Sequence, residues 1–228
     1  GTQDDNLRLS SCSPCIDAGI NITDTSTNAV QSLGIDADFN IRRFNDPMTP
    51  DQGDGKAPIV DAGAYEFGSP PVPSRLYVNV HADGASTGTS WADAFDSLQM
   101  ALQTARFAGE KVKEIWVAKG IYTPAPGGSS RTSTFQLIDG LAIYGGFAGN
   151  EDPATFSLDD RDFDANETVL SGDLGLNDDS GIRQDNCYHV VTGTGLRLLA
   201  VLDGFTISGG NADQTDGREA LGGGLYLT

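Results

Sequence analysis

The stretch AVLDGFTISGG, residues 200–210, sets a short apolar run, a turn glycine, a second apolar run and another glycine in immediate succession. Its second half, an apolar residue, one spacer and a glycine, recurs as Ile143-Tyr144-Gly145, Leu170-Ser171-Gly172, Val191-Thr192-Gly193 and Ile207-Ser208-Gly209. A loose period of about twenty residues, with one short strand and one turn glycine per repeat, is the signature of a β-solenoid. On this reading the repeats stack, pair their strands in parallel and build an apolar column from Ile143, Leu170, Val191, Ile207 and Leu227. The rival, a sandwich of antiparallel hairpins, needs two-residue turns and strict alternation, whereas the connections here are uneven.

Working outward, short strands are expected at 76–80, 114–117, 135–137, 142–144, 168–170, 189–191, 200–202, 205–207 and 225–227. One helix is expected between Ser90 and Ala108, because Phe95, Leu98, Leu102 and Ala105 share one face, Ser90 and Asp93 form a start signal and Gly109 a stop. The Pro-rich stretch 68–74 reads as a short extended spacer between block 1–67, which is loop-rich, and block 75–228.

Fourteen Lys and Arg against 32 Asp and Glu leave a net charge of −18, which repels phosphate backbones and anionic lipid surfaces. Nucleic acid is therefore excluded as a partner, and no apolar run approaches the roughly 18 residues that a membrane span needs. Cys12, Cys15 and Cys187 are too few for a disulfide framework and lack zinc-site spacing, so their bond state stays open. Cys12-Ser-Pro-Cys15 has the C-x-x-C form without a surrounding βαβ pattern, so buried or locally paired thiols are expected instead of a redox site.

Several longer stretches carry a resemblance. LYVNVHADGASTGTSWADAFDSLQMAL at 76–102, EIWVAKGIYTP at 114–124, LAIYGGFAGNE at 141–151, ETVLSGDL at 167–174 and VLDGFTISGGNAD at 201–213 resemble the opening of secreted bacterial right-handed parallel β-helix repeat proteins, similar in style to polymorphic outer-membrane proteins. SPCIDAG at 13–19 and VDAGAYEFG at 60–68 resemble the closing segment of the same group, the choice-of-anchor Q type. The order is inverted, since the closing segment comes first. The resemblance implies an all-β, right-handed parallel β-helix with one N-terminal capping helix, completed by a neighbouring unit: residues 1–67 finish the preceding unit and 75–228 open the next. Thr228-Gly1-Thr2, read head to tail, repeats Thr192-Gly193-Thr194, so the expected partner is the protein itself, as separate chains or tandem repeats joined end to end. An open solenoid end presents unpaired backbone groups that a neighbour must cover.

The function expected on these grounds is an extracellular or cell-surface structural protein forming a filament, stalk or adhesive fibre, with a carbohydrate or cell-surface partner as a further possibility. The alternative is a polysaccharide-active lyase or hydrolase, or a carbohydrate-binding module, since such scaffolds also host those activities. Catalysis is not expected: Asp159, Asp160, Asp162 and Asp164 sit in a polar loop without a recognisable base partner, and Arg161 and Arg183 read as solvated pairs. His189 reads as an outward-facing strand residue, and Trp91 and Trp116 as packing under the cap. Calcium is the cofactor expected, at Asp36, Asp38 and Asn40, whose oxygen-bearing side chains alternate along the chain, and less strongly at Asp173, Asp178 and Asp179. Hydrogen-bonded Asx turns are the competing account of both. Asn21 and Asn166 fit the glycosylation sequon.

Overall fold

A computed structural model describes residues 8–11, 13–20, 34–55, 57–125 and 130–228; Cys12 and Asn21 fall outside them. The described strands are β1 (Arg75–Val78), β2 (Glu114–Ala118), β3 (Gly120–Tyr122), β4 (Phe135–Gln136), β5 (Ala142–Phe147), β6 (Thr168–Ser171), β7 (Val191–Gly193), β8 (Val201–Asp203), β9 (Thr206–Ser208) and β10 (Leu225–Leu227). They form a four-stranded sheet in the order β1-β2-β5-β8 and two three-stranded sheets, β4-β7-β10 and β3-β6-β9. Every ladder between them is parallel. Within each sheet spatial order follows chain order, so all three sheets grow in step.

Register explains why these segments become strands. Leu76, Ile115, Ile143 and Leu202 stand opposite one another across the first sheet. Tyr122, Leu170 and Ile207 do the same in one of the smaller sheets, and Phe135, Val191 and Leu225 in the other. These columns face a common apolar core that includes Leu76, Ile115, Ile143, Tyr122, Leu170, Phe135 and Val191. Parallel strands buried in this way read as short apolar runs. Sharp corners send consecutive strands into different sheets. One residue separates β2 from β3, and Gly120 turns there with φ +145; two separate β8 from β9, where Gly204 has φ +81.

The single α-helix among the described residues, α1 (Leu98–Ala108), buries Leu98, Ala101, Leu102, Ala105 and Ala108 on one face. It ends at Gly109, whose N–H makes the last helical bond to the Ala105 carbonyl and whose φ of 60 turns the chain out of the helix. The helix starts later than expected, because Ser90 and Asp93 build a separate turn: the Asp93 N–H donates to Ser90 Oγ at 3.1 Å, and Asp93 Oδ1 accepts from the Ala85 N–H at 3.0 Å. Phe95, assigned to the helix from its spacing, instead lies in a parallel bridge with Val78. On the other face of the first sheet Tyr77, Trp116 and Phe147 form a second cluster with Ala94, joined by the partly buried Trp91 and Phe156. Trp91 and Trp116 thus pack over this outer face, away from the helix.

The expected all-β, right-handed parallel β-helix completed by a neighbouring unit is corrected by this arrangement. What forms is three separate short parallel sheets and one α-helix packed on β1 and β4. The expected single column is also corrected, since Ile143, Leu170 and Val191 belong to three different sheets and Leu227 is 56 % exposed. The period of about twenty followed the glycine corners, which serve all three sheets, instead of one stack.

The helix end is closed from within the chain. Ile35, Ile41 and Val72 are buried in the same core as Leu98, Leu102 and Ala105. A Cβ built on Gly34 would stand 2.7 Å from Thr104 Oγ1 and 2.8 Å from Phe95 Cζ, so the backbone at Gly34 lies directly on α1 and Phe95. Block 1–67 therefore contributes core residues to its own chain. Gly34→Val should cost about 1–3 kcal/mol through overpacking against side chains that have nowhere to retreat. Urea unfolding checks this, and an unchanged midpoint would show that the junction yields freely.

Candidate functional site

Two features of this fold have chemical or assembly consequences. The first is a set of open edges. α1 packs on β1 and β4, the outer strands at one side of their sheets. At the other side β8, β9 and β10 each have, among the described residues, a strand neighbour on one flank only. In β10 the alternation of backbone groups is readable: the Thr228 N–H donates to the Gly193 carbonyl at 2.9 Å, and the Thr228 carbonyl accepts from the Gly195 N–H at 2.8 Å. Neighbouring residues point their backbone groups the opposite way, so the main-chain groups of Leu225 and Leu227 face away from β7. Both side chains are exposed, as are Leu198, Leu199 and Leu221 in adjoining loops.

The second feature is a group of three buried carboxylates, Asp17, Asp61 and Glu66, whose oxygens lie within 4.8 Å of one another. SPCIDAG and VDAGAYEFG meet here through backbone bonds. The Gly19 N–H donates to the Val60 carbonyl and the Ala62 N–H to the Cys15 carbonyl, each at 2.8 Å. The approach requires small residues, because a Cβ on Gly53 would lie 1.8 Å from the Gly19 carbonyl oxygen. Ile16, buried to 1 % exposure, anchors the turn beneath Asp17, which takes φ 49.

Asp61 accepts the Asp17 N–H at 2.8 Å on Oδ1 and the Phe67 N–H at 2.6 Å on Oδ2. Glu66 accepts the Asp61 N–H at 3.1 Å and, less closely, the Phe44 N–H at 3.4 Å. Among the described residues neither carboxylate oxygen of Asp17 has a hydrogen-bond partner, although the residue is 0 % exposed. Burial raises Asp17 to about 6, reinforced by the charges of Asp61 and Asp51. Burial likewise raises Glu66 to about 8; the Asp61 amide opposes this and the Asp61 charge adds to it. The Arg42 guanidinium, the nearest compensating charge, donates to the main-chain oxygens of Asp61 at 3.2 Å and Gly63 at 2.5 Å.

The residues expected to hold calcium make hydrogen bonds and ion pairs of their own. Asp36 accepts from the Asp38 N–H and the Asn40 N–H, both at 2.8 Å, from Asn40 Nδ2 at 3.2 Å and from the Glu66 N–H at 3.0 Å. Asp38 pairs with Arg8. Asp36, Asp38 and Asn40 thus form an Asx-type turn that closes on itself and supports the backbone of Glu66. Asp173 accepts the Asn177 and Asp178 N–H groups at 3.0 and 2.9 Å, Asp178 accepts from Asn186 Nδ2 at 3.1 Å, and Asp179 is exposed. These three serve a loop turn, and neither set is brought together as three carboxylates are at Asp17.

His189 is buried, not outward-facing: its ring stacks on Tyr226 at 4.8 Å, and Nδ1 donates to the Gly222 carbonyl at 3.1 Å. Cys187 is a free, buried thiol pushed up to about 11 by burial, and Cys15 is free as well. A buried thiol held protonated in this way, as at Cys187, fits packing. Among the described residues no helix is long and apolar enough to cross a membrane.

What could have pointed to Asp17, Asp61 and Glu66 in the sequence is their setting. Each stands among Ile, Val, Ala, Gly and Phe, where a solvated carboxylate is out of place, while the Asp-rich loops that drew attention are polar throughout. No family model matches the chain, and no curated protein or solved structure matches it significantly, so no family is assigned and the resemblance to the repeat proteins rests on the quoted motifs.

Proposed function

We propose that this is an extracellular structural protein whose units join head to tail into a filament, stalk or adhesive fibre. One observation supports the reading above others: three parallel sheets run in step, and among the described residues no strand covers one flank of β8, β9 and β10, with apolar Leu225 and Leu227 exposed on the last of them. An open row of backbone donors and acceptors is a template for a further strand, and parallel addition from another unit satisfies it. A contact of this heterologous kind, repeated without closure, generates a fibre. The charge of −18 keeps separate units soluble and makes joining dependent on salt, since screening weakens repulsion between like-charged units.

The test is sedimentation velocity across a concentration series in about 150 mM salt, with negative-stain microscopy of the heaviest fraction. Concentration-dependent linear species are expected for the parent chain. The double variant Leu225→Lys and Leu227→Pro removes an outward N–H and adds a charge at the edge while sparing the Thr228 bonds to Gly193 and Gly195. It is expected to remain monomeric with an unchanged far-UV spectrum. A parent chain that stays monomeric at every concentration would sink the proposal, as would a variant that assembles as readily as the parent.

A further inference from the structure

Three carboxylates that are 0, 2 and 5 % exposed pose an electrostatic problem that the side chains of the described residues do not solve. Burying one ionised carboxylate without a partner costs several kcal/mol even after relaxation, and three together repel one another as well. Asp61 and Glu66 are partly compensated by backbone N–H donors, but each carboxylate oxygen has a second lone pair. Among the described residues neither Asp17 oxygen has a hydrogen-bond partner of normal geometry, and the Asp46 main chain is the one group that acts on the carboxylate in the opposite sense to its burial. The Arg42 guanidinium bonds carbonyls, not carboxylates, at this place. The backbone bonds that assemble the turn, among them those from the Gln52 and Gly53 N–H groups to the Asp17 carbonyl at 2.8 and 3.1 Å, fix the main chain from which the Asp17 side chain projects toward Asp61 and Glu66.

We propose that Asp17, Asp61 and Glu66 bind a single calcium-class divalent cation that ties the 13–20 turn to residues 52–67. Donor chemistry selects the class: every candidate ligand is a hard carboxylate oxygen, with no imidazole or thiolate in the set, which disfavours zinc and copper. Burial selects within it. Magnesium keeps several waters in its shell, whereas calcium accepts carboxylates directly, in one- or two-oxygen contacts and irregular geometry. The cation neutralises the mutual repulsion and takes up the two unpartnered Asp17 oxygens. Its role is to lock two segments distant in sequence that carry the Gly34–Phe95 junction on the same block. The inference does not depend on end-to-end joining.

The experiment uses the full chain stripped with EDTA and dialysed into chelator-free buffer, titrated with calcium chloride by calorimetry and followed by thermal melting. A saturable heat is expected, with a rise in melting temperature of about 5–10 °C at a hundredfold excess over Kd, and a clearly smaller rise with magnesium. Asp17→Asn is expected to abolish the calcium-dependent rise and, by removing an unpartnered buried charge, to melt in EDTA at or above the parent. A purely structural role for the Asp17 carboxylate predicts the reverse in EDTA, a lower melting temperature. Asp179→Asn is expected to keep the full calcium response. Absence of any calcium-dependent heat or shift in the parent overturns the site, and so does an undiminished shift in Asp17→Asn. If Asp17→Asn does not fold, Glu66→Gln is judged by the same loss or retention of the calcium response.

Discussion

Phe95→Ala is expected to lower the unfolding free energy by about 3–5 kcal/mol, the range for removing a fully buried aromatic ring. The site has little room to collapse. The ring lies between two glycines whose backbones already press on it: a Cβ on Gly34 would fall 2.8 Å from Cζ, and one on Gly88, at φ +72, 2.2 Å from Cε2. Backbone does not move in to fill a void as a side chain can, so the cavity term remains nearly whole. The main chain of Phe95 stays fixed by its N–H to the Tyr77 carbonyl at 2.9 Å and by its own carbonyl, which accepts the Asn79 N–H at 2.8 Å. The loss should appear as a lower denaturant midpoint with an unchanged slope. Because the ring also seats Gly34, proteolysis within residues 1–67 should accelerate in the same variant. A cost below about 1 kcal/mol would mean that the block does not rest on Phe95.

Trp116→Ala is expected to cost a similar amount, about 3–5 kcal/mol, on the opposite face of the first sheet. Trp116 is 2 % exposed and stacks on Phe147 with ring centroids 4.6 Å apart. Tyr77 and Phe156 meet it edge-on at 6.1 and 6.3 Å. The Arg75 guanidinium lies 3.8 Å over the indole and bonds Glu114 at 2.7 Å, while the indole N–H donates to the other Glu114 oxygen at 3.2 Å. Loss of the indole therefore removes apolar area, ring contacts and the surface on which an ion pair is laid. Trp116→Phe should retain most of the stacking and lose markedly less. Near-UV circular dichroism and the unfolding midpoint check both variants, and equal costs for Ala and Phe would show that stacking contributes nothing.

Most strands of the first sheet were legible as short apolar runs, because parallel strands buried on both faces show no alternation to confuse with a surface strand. β3 was not, since Gly120–Tyr122 follows β2 after one residue and reads as its continuation; only the corner at Gly120 separates them. The start of α1 was misplaced for a comparable reason. Ser90 and Asp93 carry the signal of a helix start, yet their side chains satisfy a turn over 85–93, and helix propensity does not say which backbone a hydroxyl and a carboxylate will serve. Asp36, Asp38 and Asn40 illustrate the same limit from the other side. Alternating oxygen ligands are as suitable for backbone N–H groups as for a cation, and here Asp36 accepts the Asp38 and Asn40 N–H groups.

By itself the sequence determined the acidic character of the molecule, the short apolar segments, the glycine corners between them and the apolar face of the one helix. These are properties of neighbouring residues, set by side-chain chemistry and by where a backbone can turn sharply. The tertiary structure alone decided which strands share a sheet, that Ile35 and Ile41 close the helix end of their own chain, and that Asp17 meets Asp61 across 44 residues of sequence. Such contacts depend on loop closures whose entropic cost rises only slowly with length, so spacing along the chain carries almost no information about which distant groups will converge.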